Sequence, residues 1–221
     1  MQLCYCSLCI AHLDLTLANV LLTSDGDREQ LKLTDFGLSF KAFSEQSGLI
    51  LLSKPVGTLF YMSPELIECF ILYYTGEKAA IRPYNCFSAD LWALGVCLYM
   101  ILCKVNPFKS SPLEPSAISM FHSLQSYDFE TATIQTAIEG EEMQSEPKES
   151  LMKSASKEMR IHLARSIREK QTASEQDQWQ VPDAIKQSIS EPCLHMITGL
   201  LTSDPQARFD IAQVQSHSWL T

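Results

Sequence analysis

Three oxygen-bearing side chains are spaced for chemistry on a phosphate. Asp14 is followed five residues later by Asn19, and Asp35 stands directly before Phe36-Gly37. Val20-Leu21-Leu22 and Leu31-Lys32-Leu33 read as two short strands, and Thr23-Ser24-Asp25-Gly26-Asp27 reads as the turn between them, with Asp-Gly its strongest signal. Such a hairpin brings Asn19 and Asp35 together at its open end. An amide oxygen and a carboxylate that converge in this way are hard ligands, suited to Mg²⁺ and a polyphosphate. Asp14 adds a second carboxylate, able to accept a proton from an attacking hydroxyl. Alone, Asp14 would read as a turn former or helix cap. Its register with Asn19 and Asp35 favours the chemical role.

The elements around these residues must hold them in place. Residues 1–11 read as the end of a buried helix that leads into His12. Residues 66–87 read as a helix and a loop. Ser88 to Leu102 is the most apolar stretch and is apolar nearly all round, as a central buried helix is. Asp90, near its start, suits the positive end of the helix dipole. Residues 114–126 read as one more amphipathic helix.

The order His12-Leu13-Asp14, Asn19, Asp35-Phe36-Gly37 resembles the catalytic and metal-binding loops of the eukaryotic protein kinase family. The resemblance implies Asp14 as catalytic base, Asn19 and Asp35 as ligands of magnesium and hence of ATP·Mg²⁺, and His12 as a brace of the loop. A second match is Gly57-Thr58-Leu59-Phe60-Tyr61-Met62-Ser63-Pro64-Glu65. It implies that Thr58 bonds to the catalytic aspartate and that the acceptors are protein Ser and Thr. Asp90-Leu91-Trp92-Ala93-Leu94-Gly95 resembles the family's central helix, with Asp90 as a scaffold residue on the catalytic-loop backbone. Asn106-Pro107-Phe108 resembles the stop that follows it. Leu200-Leu201-Thr202-Ser203-Asp204-Pro205-Gln206-Ala207-Arg208 and His217-Ser218-Trp219 resemble the family's ending. The resemblance implies Arg208 as the partner of a buried Glu65.

Two departures bear on function. Leu13 stands where the family usually has the arginine that pairs with a phosphorylated activation loop, which implies regulation by other means. Thr16 stands where Ser/Thr kinases usually have a lysine near the transferred phosphate. It offers a hydroxyl and no charge, so slower chemistry is expected unless another cation compensates. Residues 38–56 correspond to the activation loop and read as a mobile surface segment. Ser44, Ser47 and Ser53 are candidate phosphosites, with ordinary loop serines as the favoured reading.

The fold class implied is mainly α: the large, C-terminal lobe of a protein kinase, with a short β-hairpin carrying the catalytic and metal loops. Residues 1–221 form that lobe, with a flexible insert at about 131–178. No glycine-rich phosphate loop and no phosphate-binding lysine precede His12, so the small lobe is expected to be absent. The function implied is phosphoryl transfer from ATP·Mg²⁺ to protein hydroxyls. The alternative is an inactive, pseudokinase-like binding module. Asp90 to Val96 and the His-Ser-Trp-Leu-Thr ending most resemble the calmodulin-dependent kinases and their upstream kinases.

Composition narrows the partners. The net charge of −9 argues against a general nucleic-acid binder. No run of about 18 uncharged apolar residues suggests a transmembrane span, and the N-terminus has neither the basic region nor the cleavage site of a signal peptide. Cys4, Cys6 and Cys9 form C-x-C-x-x-C, but with no second ligand cluster the eight cysteines read as packed thiols in a reducing, cytoplasmic or nuclear, compartment. Leu151, Ala155, Met159, Leu163 and Ile167 recur every four residues among Lys and Arg. A basic helix of this kind over 151–170 reads as a solvated helix, with a calmodulin or other regulatory target as the sharper alternative.

Overall fold

The computed structural model describes residues 9–25, 28–108, 147–173 and 180–220. The chain divides into a unit of residues 1–108 with 161–221 and a unit of residues 109–160. Among the described residues the protein is mainly helical, with three two-stranded antiparallel sheets.

The first sheet pairs β1 (Ile10–Ala11) with β4 (Phe40–Lys41). Ile10 and Ala11 are therefore strand, not the helix end expected from their apolarity. Their partner lies thirty residues downstream, where local pattern cannot reveal it. The second sheet is the hairpin of β2 (Val20–Asp25) and β3 (Arg28–Leu33). Its register pairs Val20 with Leu33, Leu22 with Leu31 and Asp25 with Arg28. The strands are longer than expected: Thr23, Ser24 and Asp25 belong to β2 instead of the turn. The third sheet pairs β5 (Phe43–Ser44) with β6 (Gly48–Leu49). The expected mobile loop thus carries strand pairings of its own. Leu52 adds a bridge to Tyr84.

Helix α1 (Pro64–Thr75) begins with proline at its first position, where the missing N–H costs nothing, and ends at Gly76 in the left-handed region. Helix α2 (Cys86–Cys103) is capped by Asn85, whose Oδ1 accepts from Phe87 N–H at 3.0 Å and Ser88 N–H at 3.5 Å. It buries Trp92, Ala93, Val96, Cys97 and Tyr99, and Phe108 stacks on Trp92 with ring centroids 5.3 Å apart. By length and hydropathy α2 is apolar enough to match a membrane span, but 56% of it is buried inside the protein and it carries the buried Asp90.

Helix α3 (Pro147–Gln171) covers much of the expected insert. Its last residues are core: Ile161, Ala164, Ile167 and Gln171 are buried, whereas Met159 is exposed. The buried stripe follows the 3.6-residue period of an α-helix. The four-residue spacing read from the sequence drifts off it by about 40° per step. Arg168, one of the basic residues, is paired with Glu68 on α1 at 2.8 Å. Residues 114–126, 131–146 and 174–178, which carried other expectations, lie outside the described residues.

A short turn, α4 (Asp183–Lys186), precedes α5 (Glu191–Leu200). Helix α5 is capped by Ser190 and packs on α2 at Gly95, where a Cβ would sit 2.8 Å from that of Leu200. Helix α6 (Ile211–Gln215) starts with a capping box between Asp210 and Gln213. Cys9, Cys69, Cys86, Cys97, Cys103 and Cys193 are thiols outside any disulfide, and Cys4 and Cys6 lie outside the described residues.

Candidate functional site

The site is built where α2, the β2–β3 hairpin and the segment before α1 meet. Asp90 on α2 anchors the loop that carries Asp14. Its Oδ2 accepts from His12 N–H at 2.7 Å and its Oδ1 from Leu13 N–H at 2.8 Å. Those two bonds hold Leu13 at φ 66°, a conformation a leucine rarely adopts. His12 braces the other side. Its Nδ1 accepts from Asp14 N–H at 3.3 Å, so Nε2 carries the proton and donates to the Thr34 carbonyl at 3.0 Å. One imidazole thereby ties the Asp14 loop to the residue before Asp35.

Burial pushes the Asp90 carboxyl up to about 6, against the pull of the two backbone N–H groups. The folded state thus holds this proton more tightly than the unfolded chain does. The contribution of Asp90 to stability is greatest below its unfolded value near 4 and is lost as pH rises through about 6. Asp90→Asn removes that titration. The stability difference between wild type and the variant is expected to fall between pH 4 and 6, which urea unfolding at stepped pH will read. A flat difference would refute the assignment.

Asp14 is gripped from two sides. Its Oδ1 accepts from the Thr58 hydroxyl at 2.7 Å and from Thr58 N–H at 3.1 Å. Asn19 Nδ2 donates to the Asp14 carbonyl at 2.9 Å and lies 3.4 Å from Oδ2. With both of its strong partners on Oδ1, the carboxylate keeps acceptor capacity on Oδ2 for a substrate hydroxyl. The same bonds fix the Asn19 amide. Its NH₂ must face the Asp14 acceptors, so its Oδ1 is turned the other way, where it could ligate a metal.

Asn19 and Asp35 flank the hairpin, and Thr34 N–H donates to the Asn19 carbonyl at 3.0 Å, one residue from Asp35. Asp35 adopts φ 62°, and its Oδ1 accepts from Gly37 N–H at 3.2 Å, which leaves Oδ2 for a ligand. One carboxylate and one amide oxygen suit Mg²⁺, which completes its octahedron with water and phosphate oxygens. They would not make an all-protein metal cage, and no group of three His, Cys, Asp or Glu able to hold a metal occurs among the described residues.

The other expected site residues fall as follows. Arg208 meets Glu65 with two parallel bonds, Nη1 to Oε1 at 2.7 Å and Nη2 to Oε2 at 3.0 Å. The Arg208 side chain is 0% exposed, but that of Glu65 is 17% exposed, so Glu65 is less buried than expected. It lies in the first turn of α1, three residues after Met62. Thr16 is buried.

Several positioning groups are not legible from residue type alone. Gly57, at φ 99°, lies so close to the Leu13 carbonyl that a Cβ would sit 2.3 Å from its oxygen. Asn106 Nδ2 donates to the Phe60 carbonyl at 3.2 Å, and Gln171 Nε2 to the Met62 carbonyl at 2.8 Å. Each tethers the segment after Thr58 to a distant helix end. Gly57 opens the motif that runs to Glu65. Nothing in the sequence marks Asn106 or Gln171 for this task.

Comparison with known proteins agrees with this geometry. The family model for the protein kinase domain matches residues 1–220. Serine/threonine-protein kinase SRK2C of Arabidopsis thaliana is 26% identical over 97% of this chain and 43% of its own length. An abscisic acid-inducible protein kinase of Triticum aestivum is 27% identical over 97% of this chain and 44% of its own length. MAP kinase-activated protein kinase 2 of Oryctolagus cuniculus is 35% identical over 48% of this chain and 24% of its own length. The chain therefore spans less than half the length of these relatives. A match over nearly the whole chain, on a helical fold that holds Asp14, Asn19 and Asp35 at one hairpin, makes this chain a member of the protein kinase domain family.

Proposed function

We propose that this chain is the large lobe of a Ser/Thr kinase and supplies the base and metal ligands for phosphoryl transfer from ATP·Mg²⁺ to protein hydroxyls. The observation that carries the reading is the double grip of Thr58 on Asp14 Oδ1, which leaves the other oxygen with acceptor capacity. Bound ATP·Mg²⁺ would supply the transferable phosphoryl group and neutralise its charge. Asp14 would take the hydroxyl proton, and Asn19 and Asp35 would hold the metal. Thr58, which shapes the acceptor platform next to Asp14, supports Ser and Thr as acceptors. Leu22, Leu31 and Phe36 beside the site are 63%, 73% and 53% exposed, an apolar surface that supports a covering second lobe. The six described cysteines, none in a disulfide, support a reducing compartment, cytoplasm or nucleus.

The test is transfer of labelled phosphate to peptides containing Ser or Thr, by this chain and by the longest form of the protein that contains it. In the longest form, Asp14→Asn and Asp35→Asn are each expected to lower the rate by about 10²–10⁴-fold. Equal rates in variants and wild type would refute the roles. For the chain alone, no binding of ATP·Mg²⁺ is expected by calorimetry, because it carries no glycine loop and no phosphate-binding lysine; micromolar affinity would overturn the single-lobe reading. A second reading, a binding module on the same lobe, is favoured by Thr16. It leaves an uncharged hydroxyl where charge neutralisation is wanted. Absence of transfer in every form would select it.

A further inference from the structure

The N-terminal end of α2 grips more than the catalytic loop. Six residues before Asp90, Tyr84 is joined to the activation segment by three bonds. Leu52 N–H donates to the Tyr84 carbonyl at 3.0 Å, and Tyr84 N–H donates to the Leu52 carbonyl at 2.8 Å. The Tyr84 hydroxyl donates to the Lys54 carbonyl at 2.9 Å. Tyr84 is 3% exposed. Burial, aided by the neighbouring Cys86 and Cys69 and by Asp90 and Glu65, drives its phenol far above the ordinary value, so it stays an O–H donor.

The placement of these bonds gives them a consequence. Lys54 precedes Pro55, which is buried and has a fixed φ. Two residues further on, Gly57 rides against the Leu13 carbonyl, and Thr58 then bonds Asp14. Leu13, which lies between the two grips, is 6% exposed and carries no charge. Asp90 thus holds the loop of Asp14, and Tyr84 holds the segment of Thr58, from one helix end capped by Asn85. All three Tyr84 bonds join uncharged groups.

We propose that Tyr84 is the positioning residue of the activation segment, holding residues 52–58 so that Thr58 meets Asp14 without any phosphate on the segment. The inference rests on the kinase reading for its meaning, because it says how that site is kept assembled.

Hydrogen–deuterium exchange of the phosphatase-treated chain tests it. In wild type, the amides of Leu52, Tyr84 and Thr58 are expected to be protected with no phosphate present. Tyr84→Phe removes one hydroxyl and keeps the ring. It is expected to speed exchange at residues 54–58 roughly three- to tenfold, the equivalent of one neutral hydrogen bond. Peptides from the middle of α2, around Trp92 to Tyr99, report whether the fold is kept and are expected to be unchanged. The proposal is overturned if residues 52–58 of the unphosphorylated wild type exchange like free peptide, or if Tyr84→Phe exchanges like wild type. The wild-type measurement stands even if the variant does not fold. None of these readouts uses ATP, metal or transfer. A failure of the kinase reading at Asp14 or Asp35 is therefore distinct from a failure of the clamp.

Discussion

Arg208→Ala is expected to destabilise the protein by about 3–5 kcal/mol, the cost of breaking a buried ion pair on one side. For a chain of this size that is a drop in melting temperature of roughly 6–20 °C. The pair alone does not set the size of the effect. Arg208 Nε also donates to the Thr202 carbonyl at 3.0 Å, Nη2 lies 3.3 Å from the Ser203 carbonyl, and Nη1 bonds both the Ser88 carbonyl at 2.9 Å and its hydroxyl at 3.0 Å. The guanidinium further lies over the Trp92 ring, 5.0 Å from its centroid. One side chain thus joins α1, the start of α2 and the loop after α5. Alanine strands Glu65 and the Ser88, Thr202 and Ser203 carbonyls together. Arg208→Lys keeps the charge but loses the planar fork, and is expected to recover only part of the loss. Thermal melts followed by circular dichroism will check the series, and a melting curve unchanged in Arg208→Ala would disprove the pairing.

Gly57→Ala is expected to cost on the order of 2–3 kcal/mol and to detach Thr58 from Asp14. Two effects add. At φ 99° any side chain is strained. The new Cβ would also stand 2.3 Å from the Leu13 carbonyl oxygen, a backbone atom that cannot swing aside as a side chain would. Leu13 in turn is held by Asp90, so relief must come from the Thr58 segment. Gly76→Ala is the control. Gly76 has φ 91° but open space where a methyl group would stand, so it carries the strain without the collision. A melting shift larger for Gly57→Ala than for Gly76→Ala, with loss of protection at the Thr58 amide, is the expected result. Equal shifts would mean that the approach to Leu13 does not matter.

These two sites divide differently between sequence and tertiary structure. Both partners of the Glu65–Arg208 pair stand in recognisable motifs, and so do Asp14, Asn19, Asp35, Thr58 and Asp90. Each is a polar residue at a spacing that backbone geometry makes meaningful. The helix of Trp92 was legible because an all-round apolar run has only the interior to occupy. What sequence misjudged was pairing across distance. Ile10 and Ala11 became a strand because Phe40–Lys41 lies beside them. The stripe on α3 ran through Ile161, Ala164 and Ile167 instead of Met159 and Leu163, because the surface it packs on chose the face.

By itself, then, the sequence determined which groups are on offer: two carboxylates, an amide oxygen and a hairpin to carry them. Residue type and local spacing decide such things. Only the tertiary structure decided how that chemistry is held. Asp90 reaches back 78 residues to His12, and Tyr84 reaches 30 residues to Lys54. Each of those bonds joins a side chain to a backbone group, which every residue has. The motif pointed Asp90 at the loop backbone, but nothing marked Tyr84; only tertiary packing selects which N–H and which carbonyl meet.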